Sequence, residues 1–174
     1  MRGTFISLAA VLVLSSACSW EHRVKKLGPD EFNTYYALRP FMTDDARKTY
    51  LKYKTPEERT QYLKDQKLWD IFYKYSEAER DAIIAGDAKV GWAKDMVVMA
   101  WGKPYDIRKL VGRKAMRSEL LVYRFEVTDD GRILVWEPGS KTEYGAARKF
   151  ERLVTVDDDL VISIEESEGW SRGD

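Results

Sequence analysis

The sequence predicts an α+β fold, with helices first and an antiparallel sheet after them. Three observations carry this. Two capping boxes, Thr55 with Glu58 and Ser76 with Glu79, mark helix starts in the first half. The stretch "SELLVYRFEV" sets Leu121, Tyr123, Phe125 and Val127 against Leu120, Val122, Arg124 and Glu126, which is the two-residue period of a strand. Between the halves, "GWAKDMVVMAWGKP" holds a short apolar helix that Gly102 ends and Pro104 keeps from continuing.

The elements follow in order. "PDEFNTYYALRPFM" is a short helix broken before Pro40. Thr43 or Asp44 caps "DDARKTYLKY". "TPEERTQYLKDQKLWDIFYKY" is one longer helix, with Thr55 as N-cap, Pro56 in the first turn, and Tyr62, Leu63, Leu68, Trp69, Phe72 and Tyr73 near one face. Aromatic residues at this spacing are core rather than a ligand platform. "SEAERDAIIAG" closes at Gly86. After the first long strand, "TDDG" is a hairpin turn and "RILVWEP" returns; "KFERLVTV" and "LVISIEES" are two further strands. Asp157, Asp158 and Asp159 join the last two as a solvated turn, because three adjacent aspartates cannot all face one cation. The strands form an antiparallel meander with one face under helices and the other partly open. The tail at 167–174 is polar and frayed.

Composition narrows the chemistry. The chain has 174 residues, of which 44% are hydrophobic, enough for a packed core. Basic and acidic residues balance at 29 each, which argues against nucleic acid as a partner, since counterion release needs a basic excess. One cysteine excludes an internal disulfide, and one cysteine with one histidine excludes the usual zinc sets. There is no G-x-S-x-G, Walker loop, G-x-G-x-x-G or H-E-x-x-H. The expectation is a non-catalytic protein with no cofactor and no metal. A carboxylate-pair hydrolase stays open, because 29 acidic residues offer many pairs.

The N-terminus reads as an address. Arg2 is followed by a ten-residue apolar run at 5–14, then Ser15, Ser16, Ala17 and the lone cysteine, Cys18. The run is too short to span a bilayer and fits a secretory signal. It resembles a bacterial lipoprotein signal, in which Cys18 would be acylated and begin the mature chain. Ser15 stands where that signal usually has Leu, and Leu14 lies one place further out. The alternative is cleavage near Ala17 with a free thiol. Ser19 after the cysteine is the pattern that enteric bacteria sort to the outer membrane. The expected organisation is a signal at 1–17, a tether at 18–28 containing a solvated His22, a helical extension at 29–75, an α+β module at 76–166 and the tail.

With the order helix, "GWAKDMVVMAWGKP", strand and strand, the module resembles the SmpA/OmlA family of small outer-membrane lipoproteins, the BamE-like fold. Gly91, Val97, Gly102 and Pro104 hold the matching positions, and Trp92 replaces the commoner Met. The resemblance implies a helix pair packed on a sheet of three to five antiparallel strands, and a role docking onto partners in outer-membrane protein assembly. The layout of "EERTQYLKDQKLWDIF" ahead of Gly91 and Trp92 is also similar to GWxTD-domain proteins, although Ala93, Lys94 and Asp95 depart from their Thr-Asp pair.

The expected function is a lipid-anchored envelope protein acting as an interaction or scaffolding module, with membrane lipid through Cys18 and envelope proteins as partners. Candidate contacts are Trp92 and Trp101 and the basic side chains Arg108, Lys109, Arg113, Lys114 and Arg117 of "RKLVGRKAMR". An envelope ligand-binding or enzyme-inhibitor role is the alternative. It calls for an apolar pocket lined by several of Trp69, Trp92, Trp101 and Trp136.

Overall fold

A computed structural model describes residues 22–136 and 146–170. Local side-chain chemistry sets most helix ends. Helix α1 (Pro29–Leu38) runs into a 3-10 turn, Arg39–Phe41, that carries Pro40. Thr43 caps α2 (Asp44–Tyr50) by accepting from the Ala46 N–H at 3.2 Å. At α3 (Pro56–Asp65) Thr55 accepts from the Glu58 N–H and Glu58 accepts from the Thr55 N–H, closing the expected capping box. Ser76 and Glu79 repeat it at α5 (Glu77–Ala85). Gly86 ends α5 at φ 77°, and the apolar helix α6 (Lys94–Trp101) ends at Gly102.

The helix expected across 55–75 is two helices. Lys67 takes φ 55°, and α4 (Trp69–Tyr73) starts anew after it. The Leu68 N–H reaches the Leu63 carbonyl and the Lys67 N–H reaches that of Lys64, the paired bonds of a Schellman ending. Leu63 and Leu68 are both buried, so burial of this pair compensates for a left-handed lysine.

Five strands form one antiparallel sheet: β1 (Asp106–Lys109), β2 (Ser118–Thr128), β3 (Ile133–Val135), β4 (Ala146–Asp157) and β5 (Leu160–Glu168). The order is not the expected meander. Strand β3 returns on β2 as foreseen, but β4 pairs with β2 along its whole length, from Ser118 against Asp157 to Thr128 against Ala146. Strand β3 has three residues and sits on the same edge of β2 as β1, which pairs with Glu119–Val122. A three-residue strand offers too few ladder bonds to stand between the two longest strands.

The core is continuous across the expected boundary at residue 75. Tyr35, Leu38, Tyr50, Leu63 and Phe72 belong to one buried cluster with Ile83, Trp92, Met96, Val97, Trp101, Tyr123, Phe125, Phe150 and Val154. Arg59 of α3 ties back to α1 by donating to both carboxylate oxygens of Glu31, at 2.6 and 3.1 Å. Val24, assigned to the tether, is buried in this cluster, and Leu27 packs against it.

The second sheet face is less open than expected. Val122, Arg124 and Glu126 are buried along with their helix-facing neighbours. The tail accounts for part of this. Trp170 is 9% exposed and its indole N–H donates to the Phe125 carbonyl at 3.0 Å, so the frayed-tail expectation fails at this residue. The Arg124 guanidinium lies 3.6 Å from the Tyr105 ring centre and 5.1 Å from that of Trp170, and its Nε donates to Glu151 at 2.9 Å.

Candidate interaction surface

The two tryptophans named as contacts are structural. Trp92 is 5% exposed and Trp101 is 3% exposed. Trp101 packs edge-on against Tyr123 and Phe125, each at 5.2 Å between ring centres. Both indoles lack the exposure a docking partner requires. The segment around Trp92 does a different job. The Gly91 N–H donates to the Val161 carbonyl and the Val161 N–H to that of Trp92, both at 2.8 Å, while the Lys94 N–H reaches Asp159. Residues 91–94 thus cover the first part of the outer edge of β5.

The basic residues behave differently from one another. Arg108 and Lys109 lie on β1, and the hairpin loop at 110–117 carries the rest. Arg108 pairs with Asp106 at 2.7 Å. Arg113 donates to both carboxylate oxygens of Asp157, from Nε at 3.0 Å and from the second guanidinium nitrogen at 2.9 Å. Asp158 accepts from the backbone N–H groups of Met116 and Arg117, at 3.3 and 2.9 Å. Arg117 pairs with Asp159 and its carbonyl accepts from the Asp158 N–H. The acidic turn is therefore neither free in solvent nor arranged around an ion. It clamps the neighbouring hairpin. The Arg113 guanidinium holds the Asp157 carboxyl below its usual range, and Asp157 in turn raises Arg113.

Lys109 and Lys114 are exposed, and neither forms an ion pair among the described residues. Two apolar residues of the same hairpin are exposed as well. Val111 is 84% exposed and Met116 is 98% exposed. The sequence reading missed these two. Their signal was available, because both sit in a stretch with no strand or helix period to bury them. The hairpin is clamped, and it carries two exposed lysines and two exposed apolar residues.

The tryptophans named for a ligand-binding role sit in separate surroundings. Trp69 stacks on Tyr73 at 3.7 Å, Trp92 and Trp101 are in the core, and Trp136 meets Tyr105 and Trp170 beside Arg124. Among the described residues a shallow cleft of about 550 Å³ opens between Gly86–Val90 and the β4–β5 pair, lined by Arg152, Ile164 and Glu166. Arg152 lies over the Phe125 and Trp101 rings and donates to Glu166 at 3.3 Å.

Among the described residues, no His, Cys, Asp and Glu side chains gather into a group that could hold a metal ion. The carboxyls of Glu58, Glu79, Asp106, Asp130, Asp157 and Glu168 are shifted downward, held there by hydrogen bonds from cap groups, hydroxyls or arginines. A general acid needs the opposite shift. Among the described residues no helix is long and apolar enough to cross a membrane. Cys18 lies outside the described residues.

No family model, no curated protein and no solved structure matches this chain.

Proposed function

We propose that this protein is a lipid-anchored component of the bacterial cell envelope that works as a non-catalytic interaction module. The observation that carries the reading is the order at residues 2–18: a basic residue, an apolar run too short to span a bilayer, small residues, and the only cysteine of the chain. Such a cysteine, exported and unpaired, is a reactive liability unless it is consumed by modification. The clamped hairpin supports the second half of the reading. It holds apolar and cationic side chains out into solvent on a loop fixed at both ends, which is the character of a docking element. The narrower proposal, an accessory of outer-membrane protein assembly, rests on the likeness of Gly91, Val97, Gly102 and Pro104 to the SmpA/OmlA pattern.

Crosslinking in intact cells, followed by purification from the membrane fraction, tests the interaction role. The reading expects stable envelope proteins joined to this chain. Recovery of the chain alone, as a free monomer, would count against it.

A further inference from the structure

The hairpin carries more than a general docking role. Residues 108–117 contain five basic side chains and no acidic one. Three of the five, Arg108, Arg113 and Arg117, are met by Asp106, Asp157 and Asp159. Those pairs fix the loop but leave it no surplus charge of their own. The Asp158 carboxylate, held on the hairpin by backbone N–H groups, adds one negative charge, and Lys109 and Lys114 together leave a net surplus of one positive charge. Val111 and Met116, at 84% and 98% exposed, supply apolar surface on the same loop. Gly112, at φ 78°, turns the chain between Val111 and Arg113 with open space around it.

We infer that the β1–β2 hairpin is a docking element for an anionic lipid bilayer. Lys109 and Lys114 would sit among the headgroup phosphates, with Val111 and Met116 entering the boundary between headgroups and acyl chains. Charge complementarity selects this occupant. Ammonium groups are attracted to an anionic surface, and exposed apolar side chains leave water when they reach the acyl boundary. A flexible loop would lose conformational freedom on insertion. This one is already held by Asp157 and by the Asp158 carboxylate on two backbone N–H groups, so that cost is reduced. The inference rests on the envelope reading for its setting, but it concerns a contact made by the folded chain and not by the acyl group.

The test uses the full chain carrying Cys18→Ala, so that no acyl anchor contributes. Co-sedimentation is measured with vesicles of phosphatidylcholine alone and with vesicles containing phosphatidylglycerol. The apolar run at 5–14 partitions into both, so the readout is the ratio between them. The proposal expects a ratio well above one that falls about tenfold in Lys109→Glu/Lys114→Glu. It expects the ratio to fall also in about 0.5 M salt, where the Debye length is short. Val111→Ser/Met116→Ser should weaken binding to the anionic vesicles. Where charge reversal disturbs folding, Lys109→Gln/Lys114→Gln replaces it, and thermal unfolding confirms that each variant is folded. A ratio near one in the parent, or an unchanged ratio in folded lysine variants, overturns the proposal. So does unchanged vesicle binding in a lysine variant that has lost a protein crosslink, which would assign the hairpin to a protein partner. Failure here leaves the acylation of Cys18 untouched, and failure of acylation leaves this ratio untouched.

Discussion

The indole N–H of Trp101 donates to the carbonyl of Gly86 at 2.9 Å. This bond joins the last residue of α6 to the residue that ends α5, and it places the Trp101 ring on the sheet at Tyr123 and Phe125. Trp101→Phe removes the donor and leaves part of the buried indole volume empty. It should cost about 2–4 kcal/mol, measured by urea unfolding. Gly86→Ala should cost about 1–2 kcal/mol from the left-handed backbone alone, because a Cβ there meets Trp101 at an ordinary 3.8 Å. A larger loss in Gly86→Ala would mean that packing, not φ, decides this position.

Tyr35 presents the reverse situation. Its hydroxyl is buried with no hydrogen-bond partner among the described residues, and burial raises its pKa. The ring stacks on Tyr50 at 5.6 Å. Tyr35→Phe keeps the stack and removes an unsatisfied group. Stability should rise by about 1 kcal/mol in chemical denaturation. A loss of similar size would reveal a partner for the hydroxyl.

Trp170 closes the second face of the sheet. Trp170→Ala removes its bond to the Phe125 carbonyl and its contact with Arg124. The loss should be about 3 kcal/mol, read as a drop in the thermal midpoint. A tail that merely frayed would show no change.

The clamp between Arg113 and Asp157 should be sensitive to acid. The Asp157 pKa is depressed in the folded state by the Arg113 guanidinium. Its contribution is therefore complete above the unfolded carboxyl value of about 4 and is lost as pH falls through the lower folded value. The Arg113 side-chain N–H resonance should hold its shifted position from neutral pH into that acid range and then move. In Asp157→Asn the resonance should lie elsewhere and stay flat. A midpoint at or above the usual aspartate value would contradict the bidentate pair.

Where the chemistry is local, the sequence was legible. Thr43, Thr55, Ser76 and Gly86 end their helices through groups within a few residues, so the pattern alone reveals them. The break at Lys67 was not legible, because nothing in Gln66 or Lys67 forbids a helix; the buried Leu63 and Leu68 pair imposes it. The same holds for Trp170, which looks like a solvated tail residue until Phe125 and Arg124, some 45 residues away, are placed beneath it. At the candidate surface the positive charges were legible but their fates were not. Arg113 and Arg117 meet Asp157 and Asp159 only through the register of β2 on β4. Trp92 and Trp101 were misplaced for a related reason: an aromatic residue beside a turn reads the same whether it faces a partner or its own core.

In the proposed function an anchored module begins at Cys18. Intact-mass and peptide mass spectrometry of the protein extracted from the membrane fraction tests it most directly. The expected result is a mature N-terminus at Cys18 carrying a diacylglyceryl group, and loss of that species in Cys18→Ala. A mature chain with an unmodified thiol at Cys18, or acylation that persists in Cys18→Ala, would contradict it.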